Sequence, residues 1–187
     1  NLRFNPTQNI NLRLSYSSGF RAPQAFDEDM HIENVGGTVA MIERAKDLKE
    51  EKSQSFSVSA DMYHRFGAFQ TNLLIEGFYT RLTDVFVLGK PYDRGDGILV
   101  KTRSNGPGAK VMGLTLEGKV AYLSILQIQA GLTLQRSRYD EPHKWHDDAP
   151  AEKKIFRTPD TYGYFTATCT PVKPLSIALS GTYTGRM

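Results

Sequence analysis

A strict alternation of apolar and polar residues, sustained over segments longer than ordinary globular strands, constrains this chain more than any other feature. Successive side chains of a β-strand point to opposite faces, so a period of two predicts strands with one apolar and one polar face. Ile10, Leu12, Leu14 and Tyr16 alternate along Asn9 to Ser17. Phe56, Val58, Ala60 and Met62 stand opposite Ser55, Ser57, Ser59 and Asp61. Phe69, Leu73, Ile75 and Tyr79 oppose Gln70, Asn72, Glu76 and Thr80. Met112, Leu114, Leu116, Val120 and Tyr122 oppose Thr115, Glu117 and Lys119, and Leu126 to Leu134 interleaves with Gln127, Gln129 and Thr133. Leu175 to Gly185 repeats the pattern, and Thr161 to Thr170 carries it more weakly. Globular strands average ~5–6 residues. Most of these segments reach ~10 or more, the length a tilted strand needs to cross a bilayer.

The connections carry a second regularity. Short turns at Asn5–Gln8, Arg65–Ala68, Tyr122–Ser124 and Pro171–Pro174 alternate with long polar stretches at Ser18–Lys52, Val85–Ala109 and Arg138–Pro159. A meander whose loops are short at one end and long at the other is the pattern of a transmembrane β-barrel. Long structureless loops are otherwise uncommon in compact domains. The predicted fold is all-β, an antiparallel up-and-down meander forming a fragment of a transmembrane β-barrel. Residues 1–187 make one partial barrel domain of about seven or eight strands, each needing ~9–11 residues to span. Tyr16, Phe20, Tyr63, Tyr79, Tyr122, Tyr139, Tyr162, Tyr164 and Tyr183 fall near strand ends, where a membrane barrel places interfacial rings.

Composition is consistent with this fold. Mean hydropathy is −0.41, which a barrel with a polar lumen and polar loops shares with soluble proteins. A net charge of +3 spreads 23 basic residues among 20 acidic ones, without the basic stripe of a nucleic-acid binder; nucleic acid is not an expected partner. The single cysteine, Cys169, excludes an internal disulfide and reads as a small lipid-facing or buried residue. Asn1 opens directly into strand-like sequence, so we expect a piece of a longer chain.

Family resemblance comes from two linked segments. Leu12-Arg13-Leu14-Ser15-Tyr16-Ser17-Ser18-Gly19-Phe20-Arg21-Ala22-Pro23 resembles a strand of TonB-dependent outer-membrane receptors that ends in Gly-Phe-Arg-Ala-Pro. Lys46-Asp47-Leu48-Lys49-Glu50-Glu51-Lys52-Ser53 resembles the returning limb of the following loop. It keeps Leu48, Lys49, Glu51 and Ser53, but lacks the family's Asn-Pro and has Glu50 in place of a second proline. Glu76-Gly77-Phe78-Tyr79 and Asp84-Val85-Phe86 continue the likeness to about residue 90. The resemblance implies a barrel of about twenty-two strands around a plug, with the plug missing from this chain. It also implies location in the outer membrane, contact with outer-membrane lipid, and transport without catalysis or a cofactor. A TonB energy-transducing complex would act through the absent plug. The cargo would be a small-molecule metal chelate (an iron-siderophore), haem or cobalamin. An excised piece would self-associate through its open sheet edges.

Candidate ligand-binding residues are Arg21, His31 and Trp145. Arg21 would pair with Glu50 or Glu51 at the rim, where Pro23 breaks the ladder. By resemblance to haem-binding members, His31 is a candidate iron ligand. Trp145 offers a stacking face in a long loop. His143 and His146, beside Asp147 and Asp148, form a candidate metal pair. Asp93-Arg94-Gly95-Asp96-Gly97 lacks the closing glutamate of a calcium loop and reads as turn chemistry, as does Ser104-Asn105-Gly106-Pro107-Gly108. No Gly-Xaa-Ser-Xaa-Gly element is present. Two other classes remain open: a soluble all-β ligand-binding module, for example for carbohydrate, and an outer-membrane barrel enzyme.

Overall fold

The computed structural model describes residues 1–23, 40–95, 97–143, 151–155 and 158–186. These residues form strands and turns with no helix, as the alternation predicts. In chain order the strands are β1 (Leu2–Thr7), β2 (Ile10–Arg21), β3 (Ala40–Arg44), β4 (Glu51–Phe66), β5 (Phe69–Thr83), β6 (Phe86–Leu88), β7 (Tyr92–Asp93), β8 (Leu99–Asn105), β9 (Ala109–Tyr122), β10 (Leu126–His143), β11 (Glu152–Lys154), β12 (Thr161–Val172) and β13 (Leu175–Thr184).

The long sheet runs β1-β2-β4-β5-β9-β10-β12-β13, with β11 added to β10. β4, β5, β9 and β10 hold 16, 15, 14 and 18 residues. Each exceeds the ~9–11 residues that cross a bilayer, so each has length to spare beyond the apolar band. The turns are tight. Gly67 takes φ +59° between β4 and β5, and Leu123 takes φ +50° between β9 and β10, a left-handed conformation that costs a non-glycine residue about 1–2 kcal/mol. The β5–β9 connection is no plain loop. It contains β6, β7 and β8, and β8 pairs in parallel with β3 from Ala40↔Leu99 to Arg44↔Arg103. Each of the two strands lies on the returning limb of its long connection, which gives them the same direction. Sequence periodicity predicts neither strand, because each is short and pairs with a distant loop rather than with its neighbour in sequence.

Two compact units result: Asn1–Ser17 with Ser55–Thr80 and Lys110–Met187, and Ser18–Gln54 with Arg81–Ala109. In the first, register sorts residues by face. Leu2↔Leu14 and Phe4↔Leu12 pair across β1 and β2. Leu126↔Cys169, Ile128↔Ala167 and Ala130↔Phe165 pair across β10 and β12, and Cys169↔Ile177 and Ala167↔Leu179 continue into β13. This side is continuously apolar and includes Cys169. The other side pairs Gln127↔Thr168, Gln129↔Thr166 and Thr166↔Ser180. Among the described residues nothing covers the apolar side: Leu114, Leu116, Ile128 and Leu132 are each about 40% exposed (41%, 39%, 42% and 41%). Among the described residues only Val100 and Ala109 are buried apolar side chains. A two-layer soluble domain of this size would bury its apolar strand faces.

Rings mark the limits of the apolar side. Tyr16 and Phe56 lie 4.7 Å apart. At the tight-turn end, Phe66 stacks 5.7 Å from Phe69, which lies 4.8 Å from Tyr122. Ten residues separate Phe56 from Phe66, roughly 33 Å along a strand. At a tilt of about 40° this is roughly 25 Å of membrane normal, the height of the apolar band of such barrels.

Close packing between strands fixes small residues at contact points. An added Cβ at Gly163 would come within 2.5 Å of the Gly131 carbonyl oxygen, whereas one at Gly118 would meet nothing within 4 Å. Gly163→Val is therefore expected to destabilise the barrel by about 1–3 kcal/mol, the usual cost of overpacking. Gly118→Ala is expected to leave the thermal midpoint unchanged. Thermal unfolding followed by the gel-mobility shift of the folded barrel compares the two.

Candidate functional site

The polar side of the first unit is a set of cross-strand hydrogen bonds. Asp61, 9% exposed, collects several partners. The Tyr63 hydroxyl donates to its Oδ2 at 2.9 Å, the Asn72 amide donates to its Oδ1, and Arg13 approaches to 4.0 Å. Arg3 Nε donates to Asn5 at 3.2 Å and to Asn11 at 3.0 Å. The Thr115 and Thr133 hydroxyls meet at 3.0 Å, as do those of Ser55 and Thr80 at 2.9 Å. Gln129 Nε2 donates to Glu117 at 2.8 Å and to the Tyr164 hydroxyl at 2.9 Å. Two of the rings expected at the membrane interface, Tyr63 and Tyr164, thus belong to the polar side. Their hydroxyls find carboxylate and amide partners there.

The second unit contains the residues of the loop signature and binds them to one another. Asn105, at the end of β8, accepts from Lys49 N–H at 2.7 Å and donates to Lys49 O at 2.9 Å and Asp84 O at 2.8 Å. One side chain thereby grips the returning limb of the first long connection and the outgoing limb of the second. Asp84 adopts φ +54°, a left-handed conformation that Asp tolerates better than most residues. Glu51 Oε2 accepts from Phe86 N–H at 2.9 Å, and the Arg21 guanidinium lies 5.4 Å from the centroid of the Phe86 ring, within cation–π range. Arg21 and Glu51 thus meet on one residue, Phe86. Ser53 Oγ donates to Gly19 O at 3.4 Å. These contacts give the Gly19–Arg21 and Lys49–Ser53 pair a physical basis: both limbs are tied at the strand ends.

Charge is distributed locally. Lys52 lies 3.2 Å from Glu50, and its hydrogen bond holds the Glu50 carboxyl below the ordinary carboxylate value. Because the folded-state value is depressed, this small contribution is present above the unfolded value and fades as pH falls through the folded one. Lys52→Ala is expected to return the Glu50 titration upward toward 4.5, measured by NMR of the carboxyl carbon. Arg103 on β8 is shifted down by desolvation and by the positive charge of Arg21. The Arg94 and Glu43 side chains approach to 3.8 Å. Asp93 Oδ1 accepts from Gly95 N–H at 2.8 Å, with Gly95 at φ +98°: a side-chain-capped turn, as the sequence predicts for this stretch.

Of the ligand-binding residues predicted from sequence, only Arg21 lies fully within the described residues. His31, Trp145 and His146 lie outside them, and His143 is placed only as the last backbone position of β10. No group of metal-ligating side chains occurs among the described residues. Sequence reasoning reads Ser104 to Gly108 as a turn; instead Asn105 is a strand residue whose side-chain amide makes hydrogen bonds to Lys49 and Asp84. The only signal in the sequence is an amide-bearing residue just before Gly106-Pro107, and that is weak.

Comparison with known proteins agrees with this geometry. The chain matches the family described as TonB dependent receptor-like, beta-barrel, over residues 1–186. No curated protein sequence matches it. Among solved structures it is similar to the FrpB iron transporter from Neisseria meningitidis (F3-3 variant), with TM-score 0.63 and 18% identity, covering 97% of this chain and 25% of that one. It is also similar to the alcaligin outer membrane receptor FauA from Bordetella pertussis, with TM-score 0.57 and 16% identity, covering 98% of this chain and 28% of that one. The chain therefore spans about a quarter of the length of these structures. Members of the matched family are outer-membrane receptors and transporters rather than enzymes. An all-β chain with one apolar and one hydrogen-bonded face, matched from end to end by this family, belongs to the TonB-dependent receptor β-barrels of the outer membrane.

Proposed function

We propose that this chain forms part of the barrel wall of an importer that takes up an iron chelate, powered by a TonB energy-transducing complex. The observation that carries this reading is the division of the same strands into a bare apolar face and a hydrogen-bonded polar one. A wall between lipid and a filled lumen needs both. Gln70, Asn72, Glu76, Glu117, Gln127 and Gln129 would pack against a plug or line the path of the cargo. The long connections, tied at their bases by Asn105 and Glu51, would meet the cargo outside the cell. Iron is favoured over haem or cobalamin because the similar solved proteins are described as an iron transporter and an alcaligin receptor. Arg21 and Arg103 add positive charge suited to an anionic chelate. His31, Trp145, His143 and His146 remain candidate contacts to that cargo. In an isolated fragment, the edge strands β1 and β13 would pair with other copies.

Energised uptake tests the proposal. Cells expressing the whole receptor are expected to accumulate radiolabelled iron from a chelate, and to stop when a protonophore collapses the inner-membrane gradient. Uptake of cobalamin or haem in place of the chelate would change the cargo. Uptake of none of them, or uptake indifferent to the protonophore, would remove the importer reading.

A further inference from the structure

One stretch singled out in the sequence belongs neither to the barrel wall nor to the ties between limbs. Arg94-Gly95-Asp96-Gly97 lies between β7 and β8. The two strands pair Tyr92↔Val100 and Asp93↔Leu99, and Arg94 N–H donates to Ile98 O at 3.2 Å. The four residues are therefore the tip of a tight hairpin. Its base is fixed, because Val100 is fully buried. Its tip is bare. Arg94, Gly95 and Gly97 are exposed, and a Cβ added at Gly95 or Gly97 would meet nothing within 4 Å. Gly95 at φ +98° and Gly97 at φ +79° hold conformations that favour glycine. Asp96 lies outside the described residues, between these two glycines.

The tip carries both signs of charge, a guanidinium and a carboxylate separated by one residue without a side chain. An anionic metal chelate would be repelled by Asp96, so cargo capture does not account for the pair. A calcium loop does not account for it either. Asp93 Oδ1 is engaged by Gly95 N–H at 2.8 Å, and no closing glutamate follows. Arg94 rests against β3, 3.8 Å from Glu43 and 3.8 Å from Met41 Sδ. The Arg94 and Glu43 side chains are 41% and 42% exposed. An ion pair this exposed holds its partners weakly, so an incoming acidic pocket can take the guanidinium from Glu43.

Resting on the reading of the long connections as facing outside the cell, we infer that Arg94-Gly95-Asp96 is an attachment site for an animal-cell adhesion protein of the integrin type. Integrins read this tripeptide at the tips of exposed loops. Asp96 supplies an oxygen ligand to the divalent cation that the integrin holds. Arg94 exchanges Glu43 for carboxylates of the integrin, as a planar donor. Gly95 lets the partner approach the backbone closely.

Surface plasmon resonance of the whole TonB-dependent receptor in lipid nanodiscs, over immobilised vitronectin-receptor integrin ectodomain with manganese present, tests the inference. The wild type is expected to bind, and to be released by EDTA and by a linear Arg-Gly-Asp-Ser peptide. Asp96→Glu keeps the charge but moves it by one methylene, and is expected to abolish the peptide-sensitive binding. Glu43→Gln is expected to strengthen binding by about two- to fivefold, the range that an exposed ion pair withholds. Absence of wild-type binding, or binding indifferent to EDTA, to the peptide or to Asp96→Glu, would overturn the site. Unchanged affinity in Glu43→Gln would overturn the part given to Glu43. Two further measurements separate this site from the reading beneath it. Lys90→Cys, in a receptor otherwise lacking cysteine, is expected to react with a membrane-impermeant maleimide on intact cells; no reaction would contradict the outward orientation itself. Iron uptake by Asp96→Glu is expected to match the wild type, and an uptake defect would assign the tip to cargo instead.

Discussion

Replacing Leu116 with arginine is expected to keep much of the receptor from reaching its folded state in the membrane. Leu116 lies on the apolar side of β9, between Met112 near the basic end and Tyr122 near the aromatic end, and so near the middle of the apolar band. A lipid-facing arginine at that depth costs about 2–4 kcal/mol, falling to about 0–1 near the interface. Native proteins are stable by only about 5–15 kcal/mol, so one such change removes a large share. Met112→Arg, at the band's edge, is expected to cost far less. Glu117→Arg, one residue away on the polar side, loses the hydrogen bond from Gln129 and its contact with the Tyr164 hydroxyl, and is expected to fold. Denaturant titration of the three variants in lipid vesicles checks the order. Equal costs for Leu116→Arg and Glu117→Arg would count against a lipid-facing side.

Removing the Asn105 amide has the second large effect. Its hydrogen bonds to Lys49 and Asp84 each contribute about 0.5–1.5 kcal/mol net. Asn105→Ala is therefore expected to lower the local stability of the two limbs by about 2–4 kcal/mol. At about 1.4 kcal/mol per tenfold, the Lys49 amide should exchange its hydrogen about 30-fold faster or more. Asn105→Asp keeps the acceptor for Lys49 N–H and loses both donations, so an intermediate rate is expected. Strands of the first unit, such as β12 and β13, should exchange as in the wild type. Hydrogen–deuterium exchange of the whole receptor reads both regions at once. Uptake should fall with the loosening of the loops while the barrel stays folded.

Long strands and loop interiors differ in how far the sequence reveals them. β4, β5, β9 and β10 are legible because each must separate two solvents over many residues, and that requirement writes a period of two into the chain. β3 and β8 carry no such pattern. Ala40–Arg44 and Leu99–Asn105 become strands only because distant limbs meet, and nothing local encodes the encounter. β10 likewise runs to His143, past the point at Arg138 where alternation gives way to charge. At the strand ends, Arg21 and Glu51 are visible from the family-like segments, but their meeting on Phe86 depends on a connection folding back. Asn105 escapes for the same reason. The assignment of Tyr63 to the polar side is available from parity, because it shares Asp61's face; that of Tyr164 depends on its register with Gly131, between Gln129 and Thr133.

Accessibility of single nitroxide labels along β10 tests the whole account most directly. Labels are placed one at a time from Leu126 to Leu134, in a receptor reconstituted in lipid vesicles and otherwise lacking cysteine. Positions 126, 128, 130, 132 and 134 are predicted to collide freely with dissolved oxygen and scarcely with a water-soluble nickel complex. Positions 127, 129, 131 and 133 should show little oxygen contact. A profile without this two-residue rhythm, or one in which Ile128 and Leu132 are shielded from oxygen, would contradict the claim that this face meets hydrocarbon.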